Sequence, residues 1–149
     1  MYLDSAIIVK LLVLEPESKW FEARLSGHSF ETSELSRAEV CSALLFKERA
    51  QNITSDERIK ATQKFFSMIE NKLILSLPLN LEVVERARAV QLACHPQVPL
   101  RTLDALHVAT CDLHHCVGMA STDGQIRAAC KQLGVTLMPA QIQDISRTN

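Results

Sequence analysis

MYLDSAIIVKLLVL, residues 1–14, is the stretch whose reading decides the fold. Met1 to Leu3 reads as a short buried strand ended by Asp4. Ser5 to Leu14 follows with a helix-length apolar pattern that Glu15-Pro16 stops. A carboxylate at such a junction loses solvation worth on the order of several kcal/mol unless it is paired, hydrogen-bonded or bound to a cation. Asp4 therefore asks for a reason to be there.

Working outward, Pro16 is placed as the first residue of a second helix that carries Trp20, Phe21 and Leu25 and ends near Gly27. Residues 28–32, beginning at His28, form the next strand candidate. A helix is expected from Ser36 to about Ala50, with Ala38, Cys41, Leu44 and Leu45 inward and Glu39 in the first turn. Thr54 and Glu57 make a capping-box signature for a helix continued by Ile59, Thr62, Phe66 and Ile69, so the two segments predict a helical hairpin. LILSL, residues 73–77, is a strand, and Asn80 caps a helix bearing Leu81, Val84 and Ala87. After the loop marked by Pro96 and Pro99, Thr102 caps a helix with Asp104 in its first turn. Residues 116–120 form a strand leading to Ser121-Thr122-Asp123, residues 124–133 a helix stopped by Gly134, and VTLMPA, residues 135–140, the last strand. This alternation predicts an α/β fold, a parallel sheet with helices on both faces and sites beyond the carboxyl ends of its strands.

The 149 residues, 47% of them apolar, match one domain of ordinary size spanning 1–149. SAIIVKLLVL is too short for a membrane span and lacks a basic leader head, so a soluble cytoplasmic protein is expected. The five cysteines are an odd set on helical patterns, read as reduced thiols. A formal charge of −1 argues against a protein held to nucleic acid by a broad basic surface, while allowing a local groove or a substrate held through metal ions.

Glu39, Asp104 and Asp123 share the context of Asp4: each stands where a strand or loop gives way to a helix, among apolar or small residues. Singly, each is explained by capping or a solvated first turn. Together they predict one site. Two carboxylates about 5 Å apart at an effective dielectric of 20 repel by roughly 3 kcal/mol, so four gathered acids call for a cation. Hard oxygen donors select Mg²⁺ or Mn²⁺ over zinc, and such ions can hold a scissile phosphate and lower the pKa of an attacking water. Metal-dependent phosphodiester hydrolysis is the leading expectation. Ser5 and Thr122 place hydroxyls beside two of the acids, either to orient a carboxylate or to cap a helix.

Cys111, His114, His115 and Cys116 form C-x-x-H-H-C, which does not match two-pair zinc spacing. His107, three residues after Asp104 on the same helix, is placed to approach the site, but a helical His beside Val108 and Ala109 reads more readily as a packed or hydrogen-bonded core residue. Asp112, about 12 Å along the helix from Asp104, is left on the surface. Lys10 and Arg101 are candidates for contact with phosphate or with a partner's carboxylate. The sequence contains no G-x-S-x-G, G-x-x-x-x-G-K or G-x-G-x-x-G.

The segments LDSAIIVKLLVLEPES, ELSRAEVCSALL, LRTLDALHVATC and ASTDGQIRAACKQLGV, in this order, resemble the PIN-domain family and within it the VapC-type ribonuclease toxins. The resemblance implies a three-layer α/β/α sandwich whose four acids match Asp4, Glu39, Asp104 and Asp123. It also implies a Mg²⁺- or Mn²⁺-dependent endoribonuclease acting on RNA, and a cognate antitoxin whose tail covers the acidic pocket. A homodimer is a further expectation. Gly124 departs from the family, many of whose members carry a larger residue after the last acid. Two rivals are a non-catalytic protein that grips a basic tail and a metal-dependent DNA nuclease with the same acids.

Overall fold

The computed structural model describes residues 1–27 and 29–146. β1 (Tyr2–Leu3) runs straight into α1 (Ser5–Leu12), and α1 ends before Leu14 because Val13 takes extended backbone. Pro16 does not start α2 (Ser18–Leu25). It lies in the preceding turn, which the Glu15 N–H closes by donating to Ser18 Oγ at 2.8 Å. β2 (Phe30–Ser33) begins later than expected, and His28 lies outside the described residues.

α3 (Ser36–Arg49) and α4 (Ser55–Glu70) pack on one another, and both halves of the Thr54–Glu57 capping box are present. The inward face of α3 differs from expectation: Ser36, Val40 and Leu44 are buried, whereas Ala38, Cys41 and Leu45 face outward. The shift follows from Ser36, a polar residue that earns burial through hydroxyl bonds and so rotates the helix away from the purely apolar stripe.

β3 (Ile74–Leu77) leads to α5 (Leu81–Cys94), capped by Asn80 as expected. Thr102 is the first residue of α6 (Thr102–Leu113) rather than its cap. The cap position belongs to Arg101, whose side chain bonds Asp104 instead of the helix backbone. β4 (Met119–Ala120), α7 (Gly124–Leu133) and β5 (Leu137–Met138) follow, and a short α8 (Gln143–Ser146) was not expected from the sequence.

The five strands form one parallel sheet in the order β3-β2-β1-β4-β5. Alternation along each strand divides the core in two. Tyr2, Leu77 and Met119 point to the layer of α5, α6 and α7, while Leu3, Ile74 and Ala120 point to the layer of α1 to α4. The architecture is an α/β/α sandwich. After β1 the chain goes outward to β2 and β3, then returns to lay β4 on the other side of β1, so a crevice opens beyond the carboxyl ends of β1 and β4. Among the described residues no helix is long and apolar enough to cross a membrane.

Arg127 holds this crevice together from within α7. It is 5% exposed, and its Nη1 and Nη2 donate to Ser121 O at 2.9 Å and Ala140 O at 3.1 Å, tying the end of β4 to the chain beyond β5. Removing the guanidinium leaves those carbonyls without their donor. Arg127→Met is expected to cost about 2–3 kcal/mol in urea unfolding. A change below about 0.5 kcal/mol would show that the clamp contributes nothing.

Candidate active site

A cavity of about 360 Å³ lies in the crevice, and Asp4, Ser5, Glu39, Asp104 and Asp123 line it together with His107, Lys10, Glu15 and Lys47. Asp4 follows β1, Asp123 follows β4, Glu39 sits in the first turn of α3 and Asp104 in that of α6. Four carboxylates far apart in sequence thus share one set of walls. Thr122 is not among the lining residues. The adjacent Ser121 is fully buried; its hydroxyl accepts from the Asp123 backbone N–H at 3.1 Å and lies near the Asp4 carboxyl, whereas Thr122 is half-buried.

Asp4 is 2% exposed. Its Oδ1 caps α1 by accepting from Ile7 N at 2.8 Å, while Oδ2 is buried with no partner in hydrogen-bonding geometry. Burial pushes the Asp4 carboxyl above the usual carboxylate range. The nearby Ser121 hydroxyl, the Ile7 N–H and His107 offset part of this, and the charge of Asp123 adds to the rise.

Glu39 is held differently. Its Oε2 accepts from Ser5 Oγ at 2.5 Å and bonds His107 Nε2 at 2.6 Å. Tyr2 Oη accepts from Ser33 N at 3.1 Å and lies 2.7 Å from His107 Nδ1, so the phenol holds the imidazole from the side away from Glu39. Burial alone would raise the Glu39 carboxyl. The His107 and Ser5 bonds overcome it and hold the group below its ordinary value. Ser5, Ser36 and Thr32 form a hydroxyl chain, with steps of 3.1 and 2.6 Å, that reaches the Leu3 carbonyl at the end of β1.

Asp104 and Asp123 share Arg101. Its Nε donates to Asp104 Oδ2 at 2.8 Å and its Nη2 to Asp123 Oδ2 at 3.4 Å, yet the side chain is 68% exposed and free to swing out. Asp123 Oδ1 also accepts from Gln125 N at 2.8 Å and Ile126 N at 3.0 Å. That capping turn does not depend on the departure at Gly124, where an added Cβ would meet open space. Lys10 bonds both Glu15 and Glu17 at 2.8 Å, and Lys47 also pairs with Glu15, so these cations are neutralised at the rim. Asp112 is paired with Arg86 at 2.7 Å outside the cavity.

Sequence reasoning passed over Tyr2 and Ser121 and treated His107 as core. His107 is indeed 3% exposed, but its polar edge faces Glu39. Its signal was the spacing of three from Asp104, which puts both on one side of α6. Tyr2 had none, since its role depends on which neighbour the strand alternation brings.

Among the described residues no three His, Cys, Asp or Glu side chains already converge as an ion cage, at the acids or at Cys111, His114, His115 and Cys116. At the acids this follows from their present partners, with Glu39 drawn to His107 and Asp104 to Arg101. The donor set nonetheless fits a hard divalent cation: four carboxylates line the cavity, and the buried, unpartnered Asp4 Oδ2 is the atom such an ion would satisfy.

A family model for the PIN domain matches residues 1–136. Ribonuclease VapC46 of Mycobacterium tuberculosis is 34% identical over 145 residues, which cover 93% of this chain and 95% of that protein. A chain in a toxin–antitoxin complex from Klebsiella pneumoniae has the same fold, with a TM-score of 0.60 at 14% identity over 88% of this chain and 92% of the other. The parallel sheet agrees with these likenesses, and the chain belongs to the PIN-domain family, on its VapC-type branch.

Proposed function

We propose that this protein is a divalent-cation-dependent endoribonuclease, the toxin of a toxin–antitoxin pair acting in the cytoplasm. The observation that carries the reading is the cavity in which Asp4, Glu39, Asp104 and Asp123 meet with one buried carboxylate oxygen left unpartnered. The 34% identity to a VapC ribonuclease supports RNA over DNA as substrate. Asp4, Glu39, Asp104 and Asp123 would hold Mg²⁺ or Mn²⁺, which when bound supplies Lewis acidity at the phosphate and a more acidic water.

The chain's own residues do the rest. His107 and Ser5 keep Glu39 ionised and fixed in the cavity at neutral pH. Ser5 and Ser36 link that carboxylate to the end of β1, so the walls carrying Asp4 and Glu39 move as one. Arg101 bridges Asp104 and Asp123 and, on swinging outward, is placed to meet a phosphate of the bound strand. The same bridge supports an antitoxin that covers the pocket with a basic tail, since the two acids already accept one guanidinium. A single catalytic domain that pairs as a homodimer completes the proposal.

The test is cleavage of single-stranded RNA by the purified protein, with DNA as the control. Cleavage is expected with Mn²⁺ or Mg²⁺ and lost with chelator. Asp4→Asn is expected to lower it at least about 100-fold. The same variant should unfold at a higher temperature than the parent without metal, because burial disfavours the charge it removes while the amide oxygen keeps the α1 cap. Cleavage that survives chelation, or full activity in Asp4→Asn, would overturn the reading. Preference for DNA would replace it with the rival nuclease.

A second expectation concerns His107. Glu39 titrates below its ordinary 4.5 in the folded protein, so the pair adds stability that is present above that value and lost as pH falls through the lower folded value. His107→Leu should therefore be less stable than the parent by about 1–3 kcal/mol at pH 7, with the gap narrowing in acid. A gap of constant size down to pH 3 would show that Glu39 gains nothing from His107.

A further inference from the structure

The run from Cys111 to Cys116 closes the C-terminus of α6. Cys111 lies in the last turn of α6, followed by His114 as cap and His115 in left-handed backbone with φ 50°. Cys116 N donates to Cys111 O at 3.1 Å and His115 N to Asp112 O at 3.0 Å. This is the pair of bonds that closes a Schellman turn, a geometry that sets the side chain of the residue after the left-handed position against that of the residue five before it. An apolar contact usually fills that place. Here both members are cysteines, Cys111 and Cys116, and both thiols are free.

The two thiols are not equivalent. Cys111 is 2% exposed, whereas Cys116 is half-buried, and both line a second cavity of about 290 Å³ with Asp112, His115 and Thr136. That cavity shares no lining residue with the acidic one. Cys94 and Cys130 are buried without such an opening, and Cys41 stands alone on the outer face of α3.

We propose that Cys111 and Cys116 form a redox-active dithiol, which a peroxide-class oxidant converts reversibly into a disulfide across the C-terminus of α6. Cys116, open to the cavity, attacks one peroxide oxygen as the thiolate and becomes a sulfenic acid. The second oxygen leaves with the proton released from the thiol as water or, for an organic peroxide, the alcohol. The Cys111 sulfur then displaces the sulfenic hydroxyl, its own proton leaves with that group as a second water, and the S–S bond forms. Its opening to the cavity gives Cys116 the first step, and the burial of Cys111 leaves it the second. Two electrons pass from the pair of thiols to the peroxide. A dithiol reductant reverses the change.

Trypsin releases residues 102–127 as one peptide containing Cys111 and Cys116 and no other cysteine, so mass spectrometry reads the pair directly. The whole protein is treated with hydrogen peroxide, alkylated under denaturing conditions and digested. The expected result is a peptide two hydrogens lighter that takes up no alkylating agent and regains two alkylations after dithiothreitol. Cys116→Ser, at the half-buried position, should lose this species while keeping the parent's circular dichroism. Two alkylated cysteines after a dose that already oxidises Cys41 would overturn the proposal. So would a Cys116 driven to sulfinic acid with Cys111 still free, or the lighter peptide persisting in Cys116→Ser.

Discussion

Burying the Asp4 carboxylate at the end of the central strand is the constraint on which the rest of this structure depends. β1 is flanked by β2 and β4, so the residue leaving its carboxyl end is enclosed on both sides, and Asp4 has almost no contact with solvent. One oxygen is used locally to start α1. The other is buried without a hydrogen-bond partner, in surroundings that disfavour its charge. A group in this state costs the fold stability, and under the proposed function a cation would satisfy it.

The other three acids show how the protein tolerates that arrangement. Each leans on a local cation or donor that can be released or shared: Glu39 on His107 and Ser5, Asp104 on Arg101, and Asp123 on Arg101 and the N-terminus of α7. Arg101 is the most exposed of these partners and the easiest to displace, whereas His107 is locked by Tyr2 from behind. Glu39 is therefore held by buried partners, whereas Asp104 and Asp123 share one exposed side chain.

Much of this was legible in the sequence because strand, helix and acid follow one another at short range. MYLD announced both β1 and the acid at its end, and Thr54 with Glu57 announced the head of α4. What could not be read depends on tertiary neighbours. Thr122 and Ser121 are equally good hydroxyls in sequence, and only the pairing of β4 between β1 and β5 turns Ser121 inward. Thr102 has the chemistry of a cap, yet Arg101 takes the position because its guanidinium is drawn to two acids, one of them 22 residues away. The inward face of α3 was misjudged because a buried serine with hydroxyl partners cannot be told from an exposed one by periodicity.

The central claim is that these four side chains make one site for a divalent ion. Calorimetric titration of the parent protein with Mn²⁺ tests it most directly, beside Asp4→Asn and Asp104→Asn. The account predicts saturable binding in the parent that weakens at least tenfold in each variant, although the two residues lie on different layers of the sandwich. Equal affinity in all three proteins, or no binding by the parent, would contradict it.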